Sequence, residues 1–258
     1  MQISRVSPSP TWLWITAACL ALGPVVHSLP AAAADRFRAE FEGAAAWQTR
    51  NDFAVPGDLG TRVRIDRTGS PAVAAGRVTI VAGLGDRWAL RALAAPLRVT
   101  TAFTPSAPVR FQDVTFPAGV PIDHEYVFNS YRATIFRRFA IRSRSELRLG
   151  LTAKIRDAKL ELVSGAITRV EADLGFVPLI YAGARLASLS SFALDLDIDA
   201  AGAPQGYAVD GSVRLMKSLG GSVELFAGYR ILDGGADVDR VYSFARFHYA
   251  TAGIAFGM

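Results

Sequence analysis

The sequence predicts an all-β fold, an up-and-down antiparallel transmembrane β-barrel with about ten strands, where eight to twelve are possible. Apolar and polar residues alternate along most of the chain after residue 35, which is typical of strands with two different faces. Hydrophobic residues make up 51% of the chain, yet no run after residue 35 reaches the roughly 20 apolar residues that a membrane-spanning helix needs. Dispersed apolar content of this kind favours a barrel, in which lipid-facing and lumen-facing residues alternate.

The N-terminus has the features of a secretory signal peptide. Arg5 precedes an apolar segment at residues 12–26, and alanines at 32–34 form a cleavage site before Asp35. We therefore expect a signal peptide at residues 1–34 and a barrel domain at residues 35–258. Cys19 lies inside the signal, so the mature chain would hold no disulfide, thiolate nucleophile or cysteine-bound metal. Thr16, three positions before it, replaces the Leu that a lipoprotein signal usually has there.

The first half of the barrel alternates long loops with strands. Phe37, Ala39 and Phe41 share one face of the first strand, opposite Arg38, Glu40 and Glu42. The segments that follow are a loop at 50–71, a strand at 77–83, a turn at 85–87, a strand at 88–103 interrupted by Pro96, and a proline-rich loop at 104–123.

The second half contains seven further predicted strands, with the clearest alternation at residues 147–156. They lie at 126–139, 147–156, 172–186, 192–199, 209–215, 223–231 and 241–258. Ten residues is about the length that a tilted strand needs to cross a bilayer. Connections look short near residues 85, 142, 188 and 219 and longer near 50, 105, 163, 202 and 234. This predicts short periplasmic turns and longer outer loops.

The last segment, 241–258, resembles the terminal strand signal of bacterial outer-membrane barrels. Its signal residues are Thr251, Gly253, Phe256 and Met258. The stretches FNSYR (128–132), AKIRDA (153–158), GFVP (175–178), GYR (228–230) and YSFARFHY (242–249) resemble an uncharacterised family of small outer-membrane β-barrel proteins of Gram-negative bacteria. The resemblance implies the outer membrane as location and no known activity, so it assigns no functional residue. Met258 departs from the Phe that usually ends such chains.

Alternation alone does not separate a membrane barrel from a soluble, lipocalin-like periplasmic carrier with an apolar interior. Aromatic residues near predicted strand ends favour lipid outside, because they would form an interfacial girdle. These are Trp47, Tyr126, Phe139, Tyr242, Phe244 and Phe256. Arg137 and Arg246 fall on the lipid-facing side near strand ends, where their long stems could reach lipopolysaccharide phosphates.

The polar faces predict a lumen charge network. Its members are Glu40, Glu42, Arg132, Arg148, Lys154, Arg156, Asp195, Asp197, Asp199, Asp210, Arg214, Glu224 and Arg230. In a narrow barrel these groups would pair across the lumen, which favours a structural plug and leaves a narrow, selective pore as an alternative. The formal net charge is +5 without a concentrated basic patch, so we expect no nucleic-acid partner.

Three groups of residues are weak candidates for chemistry. Asp195, Asp197 and Asp199 recur about 7 Å apart along a strand, so one Ca²⁺ could touch two of them at most, and ion pairs are favoured. Asp233, Asp237 and Asp239 form a somewhat better, still weak, cation site. Asp123 and His124, joined by Asp237 and Asp239, could form a rim site that activates a water.

We therefore expect an integral outer-membrane β-barrel with a closed, salt-bridged lumen and a structural or surface-interaction role through the loops at 50–71 and 104–123. The alternatives are a rim hydrolase acting on lipid or peptide, a narrow pore and a soluble carrier. No cofactor or metal is expected. Expected partners are outer-membrane lipids, lipopolysaccharide and the barrel assembly machinery, with the protein itself a monomer.

Overall fold

A computed structural model of the chain describes residues 36–65, 71–142, 145–187 and 191–258. The predicted signal peptide, with Cys19, lies outside these residues. The strands are β1 (Phe37–Ala54), β2 (Val63–Arg64), β3 (Val73–Leu84), β4 (Trp88–Ala95), β5 (Arg98–Phe103), β6 (Val109–Phe111), β7 (Val114–Phe116), β8 (Ile122–Arg142), β9 (Ser145–Ser164), β10 (Ile167–Ala187), β11 (Phe192–Ala203), β12 (Gly206–Gly220), β13 (Val223–Val238) and β14 (Val241–Gly257). No helix among the described residues is long and apolar enough to cross a membrane.

The strands close into an antiparallel ten-stranded barrel, which confirms the predicted fold class. Neighbours follow the order β1, β3, β4 with β5, β8, β9, β10, β11, β12, β13, β14, and β14 pairs back onto β1. At the seam Phe37 and Met258 exchange two backbone hydrogen bonds of 3.1 and 2.8 Å. Both termini of the barrel therefore lie at one end, the terminal end, and the long connections lie at the other, the loop end.

Pro96 interrupts one barrel position, as the sequence predicts. Strands β4 and β5 lie on either side of it and both pair with β8. The N–H of Phe128 donates to the carbonyl of Leu97 at 2.8 Å, so the pairing continues across the break. Proline is tolerated there because the strand bends instead of losing its register.

Apolar side chains face outward and charged ones face the lumen. Leu147, Leu149 and Leu151 are 42%, 51% and 65% exposed, whereas Asp195 and Asp199 are each 2% exposed. A lipocalin-like carrier needs the opposite arrangement, so this geometry excludes it. The alternation in the sequence predicted which side chains face outward and which face the lumen.

The prediction of longer loops near residues 163, 202 and 234 is wrong. Strands β9 and β10 are joined by a turn at 165–166, β11 and β12 by one at 204–205, and β13 and β14 by one at 239–240. Small residues in these stretches keep the pairing, as in Gly206 with Ala236 and Ala208 with Gly234. The strands therefore extend further at the loop end, because an unbroken ladder satisfies every backbone group there.

The two long connections, before β3 and before β8, fold over the loop end as an apolar plug. We call this cluster of buried residues the outer plug. It contains Phe53, Val55, Val63, Ile65, Val109, Phe111 and Phe116, packed on wall residues Ile122, Tyr126, Leu160, Leu162, Phe247 and Tyr249. The prediction that Tyr126 belongs to an aromatic girdle is wrong, because Tyr126 is 6% exposed and faces inward. Its even position on β8 puts it on the same side as buried Ile122 and His124.

Candidate functional site

The lumen near the terminal end is filled by a first layer of ion pairs. Arg214 donates to Glu40 at 2.7 Å and to Asp195 at 2.9 Å, and Arg148 donates to the same Asp195 at 3.1 Å. Arg38 bridges Glu40 at 2.7 Å and Glu224 at 2.8 Å. Each carboxylate therefore meets more than one guanidinium, which offsets the cost of burying charge.

A second layer lies at the centre of the barrel around Asp199. Arg91 and Arg132 donate to its Oδ2 at 2.7 and 2.9 Å, and the Thr152 hydroxyl donates to its Oδ1 at 2.6 Å. Arg132 also donates to Asp210 at 2.5 Å. These charged side chains are at most 7% exposed. Charge-assisted bonds in such a dry network hold the strands across the lumen as well as around the wall.

Towards the loop end the charges meet aromatic rings. Arg230 lies 4.1 Å above the Tyr249 ring and 3.3 Å from Glu42, and Lys154 lies 4.7 Å from the Phe128 ring. A cavity of about 10 Å³ remains among these side chains, which is space for about one water molecule.

The structure places every residue of the predicted lumen charge network on the lumen side. Several partners were missed by the sequence reasoning: Arg38, Arg77, Arg91, Tyr181 and Arg185. A signal for Arg77 and Arg91 was present, because each interrupts an apolar alternation between outward residues such as Val78 and Leu90. Tyr181, whose hydroxyl donates to Asp197, is uncharged, so the pattern of charged residues gave no sign that it belongs to the network.

The predicted rim site is not brought together. Asp123 is exposed on the outside of β8, whereas His124 is fully buried and stacks on Phe53 with ring centroids 5.1 Å apart. Neither His124 ring nitrogen has a hydrogen-bond partner among the described residues, and burial lowers the pKa of His124 to about 4. Asp237 and Asp239 are exposed at the tip of β13 and contribute no bond to it. An imidazole enclosed by apolar rings is out of reach of a water at the rim.

The aspartates considered as cation ligands have other partners. Arginines contact Asp195, Asp197 and Asp199, and Asp233 pairs with Arg246 at 2.7 Å. Within the described ranges, no group of three or more His, Cys, Asp or Glu residues is arranged to hold a metal ion.

The predicted terminal signal lies on β14 beside the seam. Thr251 is 5% exposed and faces the lumen, while Phe256 and Met258 face outward at 39% and 73% exposure. Phe256 meets Phe41 edge-on at 6.4 Å. A Cβ at Gly253 would lie 2.3 Å from the Phe226 ring, so only glycine fits under that ring.

No known protein-family model matches the chain, and no curated protein matches it either. Solved structures do match. The outer membrane protease OmpT of Escherichia coli is 9% identical, with 88% of this chain and 98% of that chain covered and a TM-score of 0.56. Neisserial surface protein A is 14% identical (87% and 99% covered, TM-score 0.36), and Ail of Yersinia pestis is 13% identical (86% and 99%, TM-score 0.37). The likeness to OmpT, at this low identity, shows the fold alone, that of an outer-membrane β-barrel.

Proposed function

We propose that the protein is an integral outer-membrane β-barrel that does not conduct and that serves a structural or surface-interaction role through its loop end. The observation that carries this proposal is the double closure of the lumen, by ion-pair layers and by the outer plug. The proposal includes removal of residues 1–34 as a signal peptide and insertion by the barrel assembly machinery. It places the chain with the uncharacterised family of small outer-membrane barrels that its sequence resembles.

The height of the outward apolar band supports a membrane location. On β9 the outward residues are apolar from Leu147 to Ile155, and the next one is Asp157. Nine residues at about 3.3 Å each, tilted by about 40°, span roughly 23 Å, close to the ~25 Å apolar band of such barrels. Polar outward residues begin where the bilayer would end.

Above this band the outward surface is suited to water. Glu125 on β8 pairs with Lys159 on β9 at 2.6 Å, and Lys159 also pairs with Glu161 at 2.7 Å. The hydrogen bond with Lys159 lowers the pKa of Glu125, and the bonds with both carboxylates raise the pKa of Lys159. This polar collar supports a loop end that projects beyond the lipid.

The closed interior argues against the narrow pore. Small barrels leave little room beyond their own side chains, and here ion pairs cross the lumen at its centre. An ion would have to break several buried pairs and also displace the outer plug to pass.

Three measurements test the proposal. The folded barrel should migrate faster on a detergent gel when it is not boiled. It should also be recovered in the membrane fraction and need detergent for its extraction. In planar bilayers it should give no conductance steps. Steps that scale with protein concentration would overturn the closed-lumen role, and recovery as a soluble protein without detergent would overturn the membrane location.

The rim hydrolase has one supporting observation, the shared fold with a protein named as a protease. Fold does not carry an activity, and His124 lies inside the outer plug without a carboxylate partner among the described residues. The discriminating experiment compares peptide and lipid hydrolysis by the folded wild type and His124→Phe. A hydrolytic activity that this substitution abolishes, with the folded fraction unchanged, would favour the enzyme.

A further inference from the structure

A groove crosses the outward face of the barrel near the seam. Gly43 on β1 pairs with Gly76 on β3 and with Ala252 on β14, and Ala94 on β4 continues the row. These small residues form the floor of an open groove of about 530 Å³. Its lining is mostly apolar, with Glu42 and Arg77 also reaching it, and its volume lies in the range of small-ligand sites.

Larger side chains lie beyond the small residues at both ends of the groove. Towards the terminal end Phe41 and Leu225 are 50% and 42% exposed. Towards the loop end Trp47 stacks on His248 with ring centroids 5.8 Å apart, and His248 shares a hydrogen bond with Tyr229. Aromatic residues with polar edges favour the boundary between hydrocarbon and headgroups. The groove therefore lies below the outer interface, at the depth of acyl chains.

Arginines lie on the loop-end side of this aromatic boundary, on β1, on β14 and on the segment 62–64 that pairs with β1. We call them the arginine cluster: Arg50, Arg62, Arg64 and Arg246. Arg246 pairs with Asp233 at 2.7 Å, and Arg50 pairs with Asp52 at 3.1 Å. Arg62 lies 3.7 Å above the Tyr242 ring, and neither Arg62 nor Arg64 forms an ion pair within the described ranges. Arg50 and Arg246 are therefore paired, whereas Arg62 and Arg64 are left to meet an anion, with exposed Asp237 across from Tyr242 on the neighbouring strand.

The neighbouring outward surface, on β5, β8 and β9, is acidic instead. The outward collar of β5, β8 and β9 carries four carboxylates and two cations: Asp123, Glu125, Asp157 and Glu161 with Arg98 and Lys159. That side also lacks the small-residue floor, because its outward residues include Tyr131, Ile135 and Leu151. The positive charge and the groove thus coincide on one face.

We propose that this face binds the lipid A part of lipopolysaccharide, with an acyl chain in the groove and a phosphate on the arginine cluster. Arginine suits phosphate because its planar guanidinium donates two parallel hydrogen bonds. Along β1, Arg50 lies five positions beyond Ala45, a distance of roughly 15 Å, which places the cations at headgroup height above the groove. The proposal rests on the outer-membrane location proposed above.

A second copy of the chain fits this face less well. A two-fold contact brings the same surface to itself, so two arginine clusters would face each other across the interface. Like charges placed together cost binding energy, whereas a phosphorylated lipid neutralises them.

Native mass spectrometry of the detergent-solubilised full barrel tests the site, with purified lipid A and phosphatidylglycerol as probes. Gly43→Leu fills the groove, and no atom lies within 4 Å of a Cβ at this position, so the barrel tolerates the change. Ala153→Leu, outward on β9, is its matched control. Arg62→Gln with Arg64→Gln removes two cations, and Arg98→Gln with Lys159→Gln is the matched pair on the neighbouring acidic surface.

Lipid A should bind saturably, and each test variant should weaken it by about tenfold or more while the controls leave it unchanged. Equal affinity for phosphatidylglycerol, unchanged lipid A binding in Gly43→Leu, or no saturable binding would each overturn the site. A dimer that Gly43→Leu abolishes would assign the groove to a second copy instead. The heat-dependent gel shift of every variant reports the barrel fold separately, so failure of the site is distinguishable from failure of the membrane proposal.

Discussion

Arg91 on β4 donates a hydrogen bond of 2.7 Å to Asp199 on β11, 108 positions away in the chain. The two strands are four barrel positions apart, so this bond spans the lumen instead of joining neighbours in the wall. Because ion pairs cross the lumen at its centre, side chains fill the interior of the barrel.

Removing the carboxylate of Asp199 should strongly destabilise the barrel. Asp199→Ala leaves Arg91 and Arg132 without their shared partner in a dry lumen, and breaking a buried pair costs about 3–5 kcal/mol. Unfolding in urea, followed by the heat-dependent gel shift in lipid vesicles, measures the change. Asp58→Ala on the exposed first connection is the control and should be near neutral. A loss below about 1 kcal/mol at Asp199 would mean that the lumen is hydrated.

Stability should fall in acid because of His124. Its pKa is lowered from 6.5 to about 4 by burial, so the folded barrel excludes a proton that the unfolded chain takes up. The stabilisation is complete above pH 6.5 and is lost as the pH falls from 6.5 towards 4, by about 2–4 kcal/mol in all. His124→Phe should flatten the unfolding free energy over this window. Equal slopes for wild type and His124→Phe would contradict the buried, unpartnered imidazole.

Removing the second long connection should not open the barrel. Replacing residues 104–121 by a short Gly-Ser linker removes Val109, Phe111 and Phe116 from the outer plug, but the ion pairs of Asp199 and Asp210 remain beneath it. We expect planar-bilayer recordings of this variant to stay silent. Conductance steps that the wild type lacks would show that the plug alone closes the lumen.

Gly253 should not tolerate a side chain, in contrast to Gly43. A Cβ at Gly253 would lie 2.3 Å from both the Phe226 ring and the backbone oxygen of Phe41, whereas one at Gly43 meets nothing within 4 Å. Gly253→Ala should cost about 1–3 kcal/mol through overpacking, and Gly43→Ala should cost little. The fraction that folds into vesicles, measured by gel shift, compares the two variants. Similar fractions would indicate that the Phe226 ring moves aside easily.

Much of the fold follows from local pattern. The alternation at residues 147–156 predicted a strand with Leu147 to Ile155 outside, and Pro96 predicted a break between two strand segments. Side chains on a strand alternate by geometry, so a two-residue period is visible without knowing what the strand pairs with. The loop-end turns were mispredicted because Gly and Ala permit both loop and ladder, and only neighbouring strands decide between them.

The sites were less accessible to sequence reasoning. Alternation placed Asp199 and Arg132 in the lumen, but it did not reveal that both meet Arg91. Nor did it reveal that His124 lies under Phe53, since the loops that cover it come from distant parts of the chain. Asp123 and His124 look like neighbours in sequence, yet adjacent strand residues point to opposite sides of the wall.

The sequence by itself determined the class of fold, an approximate number of strands, the faces of the strands and the presence of paired charges inside, because these follow from residues two positions apart. The tertiary structure alone decided which charges pair, how the loop end is closed and where groove and arginines coincide. Those properties depend on curvature and register summed over ten strands, which bring together side chains more than a hundred positions apart.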